Sequence, residues 1–339
     1  MALSPRGAGQ LPIMTAGDSP ARSRRAWAWL LSLPLAALLL YWSLRGVAWP
    51  QVWRSVSSAR WQTLIVAAVI TSCSFFLRGV RWRILLNAEA RLGVTEVFCA
   101  NMAGYLGNNF LPARAGEILR TVLISRRSAL SKSYVLTTAL AERSMDVIAV
   151  VLWAAVALIG VNPKPKWVAD LSWTLTAGAC SAAVATAILP HTERWVKRVL
   201  KALPLPHGLH DRLVRVVEQV LLGLRAFHNW RRLAAFVFLT AVVWSLDTVT
   251  AVVVAEALHV MLPVRVAMLL LTGLALGSSL PSTPGYVGIY QFVAVTVLPP
   301  FGIGRDVAVA YIIVAQALAY VVVLLLGLPS LYWLKMRSR

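Results

Sequence analysis

Residues 97–112 read Val-Phe-Cys-Ala-Asn-Met-Ala-Gly-Tyr-Leu-Gly-Asn-Asn-Phe-Leu-Pro. The run is apolar but shorter than the ~20 residues a helix needs to cross about 30 Å of hydrocarbon. It stops at Asn108-Asn109 and Leu111-Pro112, and proline cannot continue a helix. Basic residues flank it on both sides: Arg78, Arg81 and Arg83 before it, Arg114, Arg120, Arg126 and Arg127 after it. If the run crossed a membrane, these two groups would lie on opposite faces, against the tendency of Lys and Arg to collect on the cytoplasmic side. The segment is therefore expected to dip into the membrane and return on the side from which it entered.

The rest of the chain supports a membrane setting. Of 339 residues, 59% are hydrophobic and 14% charged, and the mean hydropathy is +0.71. A soluble enzyme, a disordered tail and a secreted disulfide scaffold are excluded, because the apolar residues come in membrane-length blocks. Six full-length stretches are expected at 27–44, 61–77, 133–160, 168–189, 233–258 and 306–334, and a second broken one spans 264–300, interrupted at Leu280-Pro281-Ser282-Thr283-Pro284-Gly285. The fold class is an all-α polytopic membrane protein with about six full spans and two broken, re-entrant segments. The first stretch follows Arg22, Arg24 and Arg25 without a small-residue cleavage site, so it reads as an uncleaved helix.

The formal charge of +20 is expected to reflect cytoplasmic loops and anionic lipid rather than nucleic acid. With the N-terminus inside, residues 1–26, 78–132, 190–232 and 335–339 hold 25 of the 33 Lys and Arg. The resulting order is a basic cytoplasmic leader (1–26), a first membrane half (27–189) with a re-entrant segment at 97–120, a cytoplasmic insert (190–232), a second half (233–334) with a re-entrant segment at 264–300, and a cytoplasmic tail (335–339). Within the insert, Leu213, Val216, Val217, Val220, Leu221, Leu224 and Phe227 recur at helical spacing among arginines, predicting an amphipathic helix on the inner leaflet. An interfacial spacer is the simpler use of that stretch. Docking on an envelope-synthesis enzyme is the other.

The chain also repeats itself. Leu106-Gly107-Asn108-Asn109-Phe110-Leu111-Pro112 is echoed by Leu276-Gly277-Ser278-Ser279-Leu280-Pro281, and Ala141-Glu142-Arg143-Ser144-Met145-Asp146-Val147, more weakly, by Ala315-Gln316-Ala317-Leu318-Ala319-Tyr320-Val321. Each half is a span, a broken segment and a span, and the broken segments enter from opposite sides, as in an inverted-topology repeat. A helix broken in hydrocarbon leaves backbone groups unpaired unless protein, water or substrate satisfies them. Matching breaks in two halves point to a substrate site between them.

Glu142 and Asp146 lie four apart on one helix face, with Arg143 three from Asp146. Inside a membrane they should face a cavity or each other. A structural pair of Arg143 with Asp146 or Asp247 is one reading, and gating or headgroup binding is the other. At the first break, Gly116 would let backbone approach a ligand, and Arg114 and Arg120 can hold phosphate bidentately or serve as ordinary positive-inside residues. Glu117 in their midst suggests an ordered pair. Arg78 and Arg81, beside Arg83 and Trp82, fit interfacial anchoring or headgroup contact. The second tip, with Pro284, Gly285, Gly288 and Gln291, lacks charge and would bind through its backbone. No metal, nucleotide or hydrolase motif is found, the five histidines lie in loops or at span ends, and Cys73, Cys99 and Cys180 show no CxxC spacing. No catalytic residue, cofactor or metal is expected.

The ordered set Asn101-x-x-Gly104-x-x-Gly107-Asn108-x-x-Leu111-Pro112-x-Arg114-x-Gly116-Glu117-x-x-Arg120, then Glu142-Arg143-x-x-Asp146, then Leu280-Pro281-x-x-Pro284-Gly285-x-x-Gly288 resembles the lysylphosphatidylglycerol synthase transmembrane-region family, also called flippase-like domain proteins. The resemblance runs from about residue 25 to 334. It implies movement of lipids between leaflets: phospholipids, aminoacyl-phospholipids or polyprenyl-phosphate lipids. The sequence ends at Arg339, shortly after the last span, so no synthase domain or synthase activity is expected. It departs from the family at Gln291, where an acid is frequent, and at Ala317, where a basic residue is expected. The expected function is a lipid flippase or lipid-linked substrate transporter in a bacterial-type inner membrane, both termini cytoplasmic, with anionic-headgroup lipids as partners and a homodimer compatible with the sequence. Arg114 and Arg120 would hold phosphate, while Glu117, Glu142 and Asp146 would balance cations or exchange protons. The rivals are a non-catalytic partner of an envelope lipid or glycan enzyme and an embedded headgroup transferase.

Overall fold

A computed structural model describes residues 34–111, 115–159, 229–278 and 284–336, with Ala177, Gly178 and Ser181 besides. The expected span at 168–189 and the insert at 190–232 lie essentially outside the described residues, as does Arg114. Among the described residues all regular structure is helical: α1 (Pro34–Leu44), α2 (Trp49–Ser57), α3 (Trp61–Leu86), α4 (Val94–Phe110), α5 (Ala115–Ser125), α6 (Lys132–Leu158), α7 (Trp230–Ala257), α8 (Val264–Ser278), α9 (Ile289–Val297) and α10 (Arg305–Met336), with short 3-10 turns at Pro284–Tyr286 and Pro299–Phe301.

Three of these, α3, α7 and α10, are long and apolar enough to cross a membrane. Helix α6 has 27 residues, but Glu142, Arg143 and Asp146 interrupt its apolar surface. Helices α4, α5, α8 and α9, with 17, 11, 15 and 9 residues, are each too short to span about 30 Å at 1.5 Å per residue. Helix α2 was not foreseen. Pro50 starts it, Val52 is its one buried residue, and Trp49 and Trp53 are exposed.

Helices α3 and α7 form an antiparallel pair. At the Trp61 end, the Arg60 amide donates to the Ala257 carbonyl (2.9 Å), and at the Leu86 end Leu85 packs with Phe236. Helix α10 runs between the same two ends. Near its start the Ala48 amide donates to Asp306 (2.9 Å), and near its finish the Arg127 guanidinium donates to the Leu334 carbonyl.

The short helices are two hairpins that enter from opposite ends. Leu86, Leu92, Val97, Ile124 and Leu130 share one apolar cluster, so α4 leaves from the Leu86 end and α5 returns to it. Leu258, Val266, Val297, Leu298 and Ile303 share another, so α8 and α9 both open at the Trp61 end. The contacts have counterparts when the halves are exchanged: α4 packs on α10 as α8 does on α6, α5 on α6 as α9 on α10, and α3 on α4 as α7 on α8. The turn Pro284–Tyr286 reaches α4, so the second tip touches the first hairpin.

Both hairpins are zipped by glycine. A Cβ on Gly107 would come 2.8 Å from the Gly116 Cα, and one on Gly277 would come 2.7 Å from Ile289. The tightest approach to backbone is at Gly116, where a Cβ would lie 1.9 Å from the Gly104 carbonyl oxygen. The obstacle is helix backbone, which cannot swing aside. Gly116→Ala should therefore force α5 off α4 and destabilise the protein by at least the 1–3 kcal/mol (roughly) typical of overpacking, read as a lower melting temperature in detergent. Gly93→Ala, where a Cβ meets nothing within 4 Å, should leave the melting temperature nearly unchanged.

Candidate functional site

Helix α3 continues nine residues past the expected end of its span, to Leu86, so Arg78 and Arg81 lie on the helix rather than in an interfacial loop. Arg81 is fully buried, which corrects the anchoring expectation for it. Its guanidinium donates to Asp146 Oδ1 and Oδ2 (2.6 and 3.0 Å), to Glu142 Oε1 (2.9 Å) and to Thr240 on α7 (3.2 Å), and lies 5.1 Å from the Phe236 ring centroid. The i, i+4 spacing on α6 thus lets two carboxylates grip one guanidinium.

Glu142 is the hub. Its other oxygen accepts from Arg120 on α5 (3.0 Å), and Arg120 also donates to Asn101 on α4 (2.9 Å), pairs with Glu117 (2.6 Å) and stacks 4.4 Å from the Trp82 ring centroid. Glu117 accepts in turn from Arg143 (2.6 Å), which reaches back to Asp146 at 3.5 Å. Asp247 pairs with Arg78, not with Arg143, and accepts from Ser74 (2.6 Å). Three guanidiniums and three carboxylates are thereby joined across α3, α5 and α6, and the Arg78–Asp247 pair ties α3 to α7 beside them.

One side of this network opens into a cavity of about 470 Å³ between the halves. Arg78, Glu117, Arg143, Asp146 and Asp247 line it together with Asn108, Gly285, Tyr286 and Gln316, so groups from both hairpin tips share one space. Five of the chain's eight tyrosines, Tyr105, Tyr286, Tyr290, Tyr311 and Tyr320, are in its wall. Tyr286 holds a φ of 61°, a left-handed conformation that side chains other than glycine seldom adopt, and its ring stacks on Tyr290 at 5.1 Å. Such strain persists only where the surroundings enforce it.

Arg120 and Glu142 are buried and do not line the cavity, so Arg120 does not present its guanidinium there as phosphate binding would require. Gly116 makes its close approach to α4, not to an open ligand space. The cavity-facing cations among the described residues are Arg78 and Arg143, whose side chains are 15% and 34% exposed.

The second tip repeats the arrangement without charge. The Gly288 amide donates to Gln291 Oε1 (2.7 Å), Gln291 Nε2 donates to Gln316 Oε1 (2.8 Å), and Gln316 and Tyr320 both donate to the Gly285 carbonyl. Gln291 is thus engaged within the protein at both ends of its amide, and Pro284 opens the 3-10 turn. In the sequence echo Gln316 stands opposite Glu142 and Tyr320 opposite Asp146. Each long helix uses that position to tie down the returning arm of its neighbouring hairpin, α6 through Glu142 to Arg120 and α10 through Gln316 to Gln291. Sequence reasoning gave no role to Gln316, Tyr320, Asn101 or Thr240. The echo itself was the available signal for the first two.

A family model described as the lysylphosphatidylglycerol synthase TM region matches residues 29–327, and the chain belongs to that family of helical membrane proteins. A UPF0104 membrane protein of Methanothermobacter thermautotrophicus is 21% identical over 323 residues, covering 90% of this chain and 92% of that one. The glycosyltransferase AglD of Haloferax volcanii is 28% identical over 265 residues, 66% of this chain and 41% of AglD. The chain therefore spans about two fifths of that longer relative.

Removing one member of a buried ion network strands the others. Arg81→Met should cost about 3–5 kcal/mol, because Glu142 and Asp146 lose their shared cation in a buried setting. Arg143→Met, at the more exposed edge, should cost clearly less. Unfolding in mixed micelles would measure both, and equal losses would show that burial does not set the cost.

Proposed function

We propose that the protein moves lipids between membrane leaflets, with the headgroup in the 470 Å³ cavity and the acyl chains left in the bilayer. The observation that carries this reading is that two hairpins from opposite ends bring their tips to one cavity, beside ion-paired arginines. The hairpins are re-entrant and the halves form an inverted repeat. That arrangement suits alternating access, in which one half rocks against the other around a central site. The Leu86 end, with Arg83, Arg91, Arg126, Arg127, Arg231 and Arg232, faces the cytoplasm by the positive-inside tendency. The membrane is a bacterial-type plasma membrane.

Arg143 and Arg78 are the phosphate-contacting residues in this reading. Arg81, Glu142 and Arg120 hold the helices that position them. The aromatic and amide groups of the second tip contact the rest of the headgroup, and no catalytic step, cofactor or metal enters. Purified protein in liposomes carrying a fluorescent phosphatidylglycerol in one leaflet should expose the probe, and Arg143→Ala should slow exposure at least ~10-fold, the loss of one charge-assisted contact. Wild-type rates in Arg143→Ala would remove the cavity assignment.

A second reading draws on AglD, a longer protein named a glycosyltransferase. In it this chain serves as the membrane partner of an enzyme acting on envelope lipids or glycans. It expects a stable complex retrieved through the basic stretch 190–232 and normal function when Arg143 is changed.

A further inference from the structure

We propose that the cavity takes up one proton with each singly anionic phosphodiester headgroup, and that Glu117 is the acceptor. The proposal rests on the transport reading above and deepens it by assigning the coupling ion.

Among the described residues the network sets Arg81, Arg120 and Arg143 against Glu117, Glu142 and Asp146, and Arg78 beside it is paired with Asp247, so the charges balance as they stand. A phosphodiester brings one negative charge into this partly open, mostly apolar cavity. Uncompensated charge in such surroundings is strongly unfavourable, and a titratable group changes its protonation instead.

The geometry selects the group. Arg143 is the cation most open to the cavity, with 34% of its side chain exposed. A phosphodiester offers the same paired oxygens as the Glu117 carboxylate and can take its place on that guanidinium. Three carboxylates, Glu117, Glu142 and Asp146, then share two guanidiniums, Arg81 and Arg120. Glu142 is 1% exposed and Asp146 is 11% exposed, and both retain bonds to Arg81. Glu117 is 20% exposed, lines the cavity, and among the described residues keeps only Arg120, which also serves Glu142.

The surplus charge therefore falls on Glu117. Among the described residues, the charged and titratable groups around it are Arg120 on its own helix, Arg143, Glu142 and Asp146 on α6, and Tyr105 on α4. A proton from cavity water binds Glu117 Oε1, the oxygen that Arg143 had held. The phosphodiester and the proton enter together, and the site stays neutral. On release at the other leaflet the proton leaves and Glu117 pairs again with Arg143. The second tip offers no matching acid, since Gln291, Gln316 and Tyr320 stand there, so the expected ratio is one proton per lipid. A zwitterionic headgroup brings its own cation and needs no proton.

The test uses the full chain in liposomes with trace fluorescent phosphatidylglycerol or phosphatidylcholine and a gradient of one pH unit, with protein-free liposomes as reference. The wild type should enrich phosphatidylglycerol up to about tenfold in the leaflet facing the alkaline side, as one-to-one linkage requires, and nigericin should abolish the enrichment. Phosphatidylcholine should distribute without regard to pH. Glu117→Gln should lose the pH-driven enrichment of phosphatidylglycerol, whereas Glu256→Gln, exposed near the end of α7 and outside the cavity, should keep it; enrichment retained in Glu117→Gln would overturn its assignment as acceptor. Even distribution of both lipids across the gradient, with both crossing, would overturn proton coupling and leave transport standing. If neither lipid crosses in the wild type, the transport reading falls and the coupling with it.

Discussion

The grip of Arg81 and Arg120 on Glu142 is the contact on which the rest of the arrangement depends. Three ions with at most 2% of their side chains exposed can be held in an apolar interior only if each meets an opposite charge, because the desolvation of a lone charge there exceeds most single favourable contributions. The pairing demands that α3, α5 and α6 meet at one level, and Asn101 and Thr240 draw α4 and α7 to the same place. Glycine makes the approach feasible. With Gly104 and Gly107 facing Gly116, the α4–α5 hairpin is thin enough to seat Arg120 between α6 and Trp82.

The two hairpins make matching helix contacts but differ in chemistry. Glu142 and Gln316 do the same mechanical work, linking a long helix to the returning arm of a hairpin, one through ions and the other through amides. Ion pairs gain strength in low dielectric but demand complete balance, whereas an amide bond leaves no net charge when it opens. The first tip is accordingly sensitive to any charged ligand, and the second responds to shape and hydrogen bonding. The strained Tyr286 and its stacked neighbour Tyr290 lie on the second side of the cavity.

Much of this was legible beforehand. The all-helical membrane class and the charge cluster on α6 follow from hydrophobic run length and from the rarity of charge in apolar runs. The length of α3 was not legible, because Arg78, Arg81 and Arg83 mark the end of an apolar window and only their partners on α6 and α7 show that the helix continues. Pairing was equally hidden. Asp247 lies 169 residues from Arg78 in sequence and is its partner only because α3 and α7 are antiparallel. The role assigned to Gly116 failed because sequence indicates that a close approach occurs but not what approaches.

The sequence by itself determined an all-helical membrane protein and the residue types that carry charge inside it, since hydrophobic length and the cost of buried charge are local properties of the chain. The tertiary structure alone decided which charges meet, which face the cavity and which are spent on structure. Guanidinium and carboxylate groups are interchangeable in sequence. Their partners are set by helix direction and depth, which emerge only when all the helices are packed together.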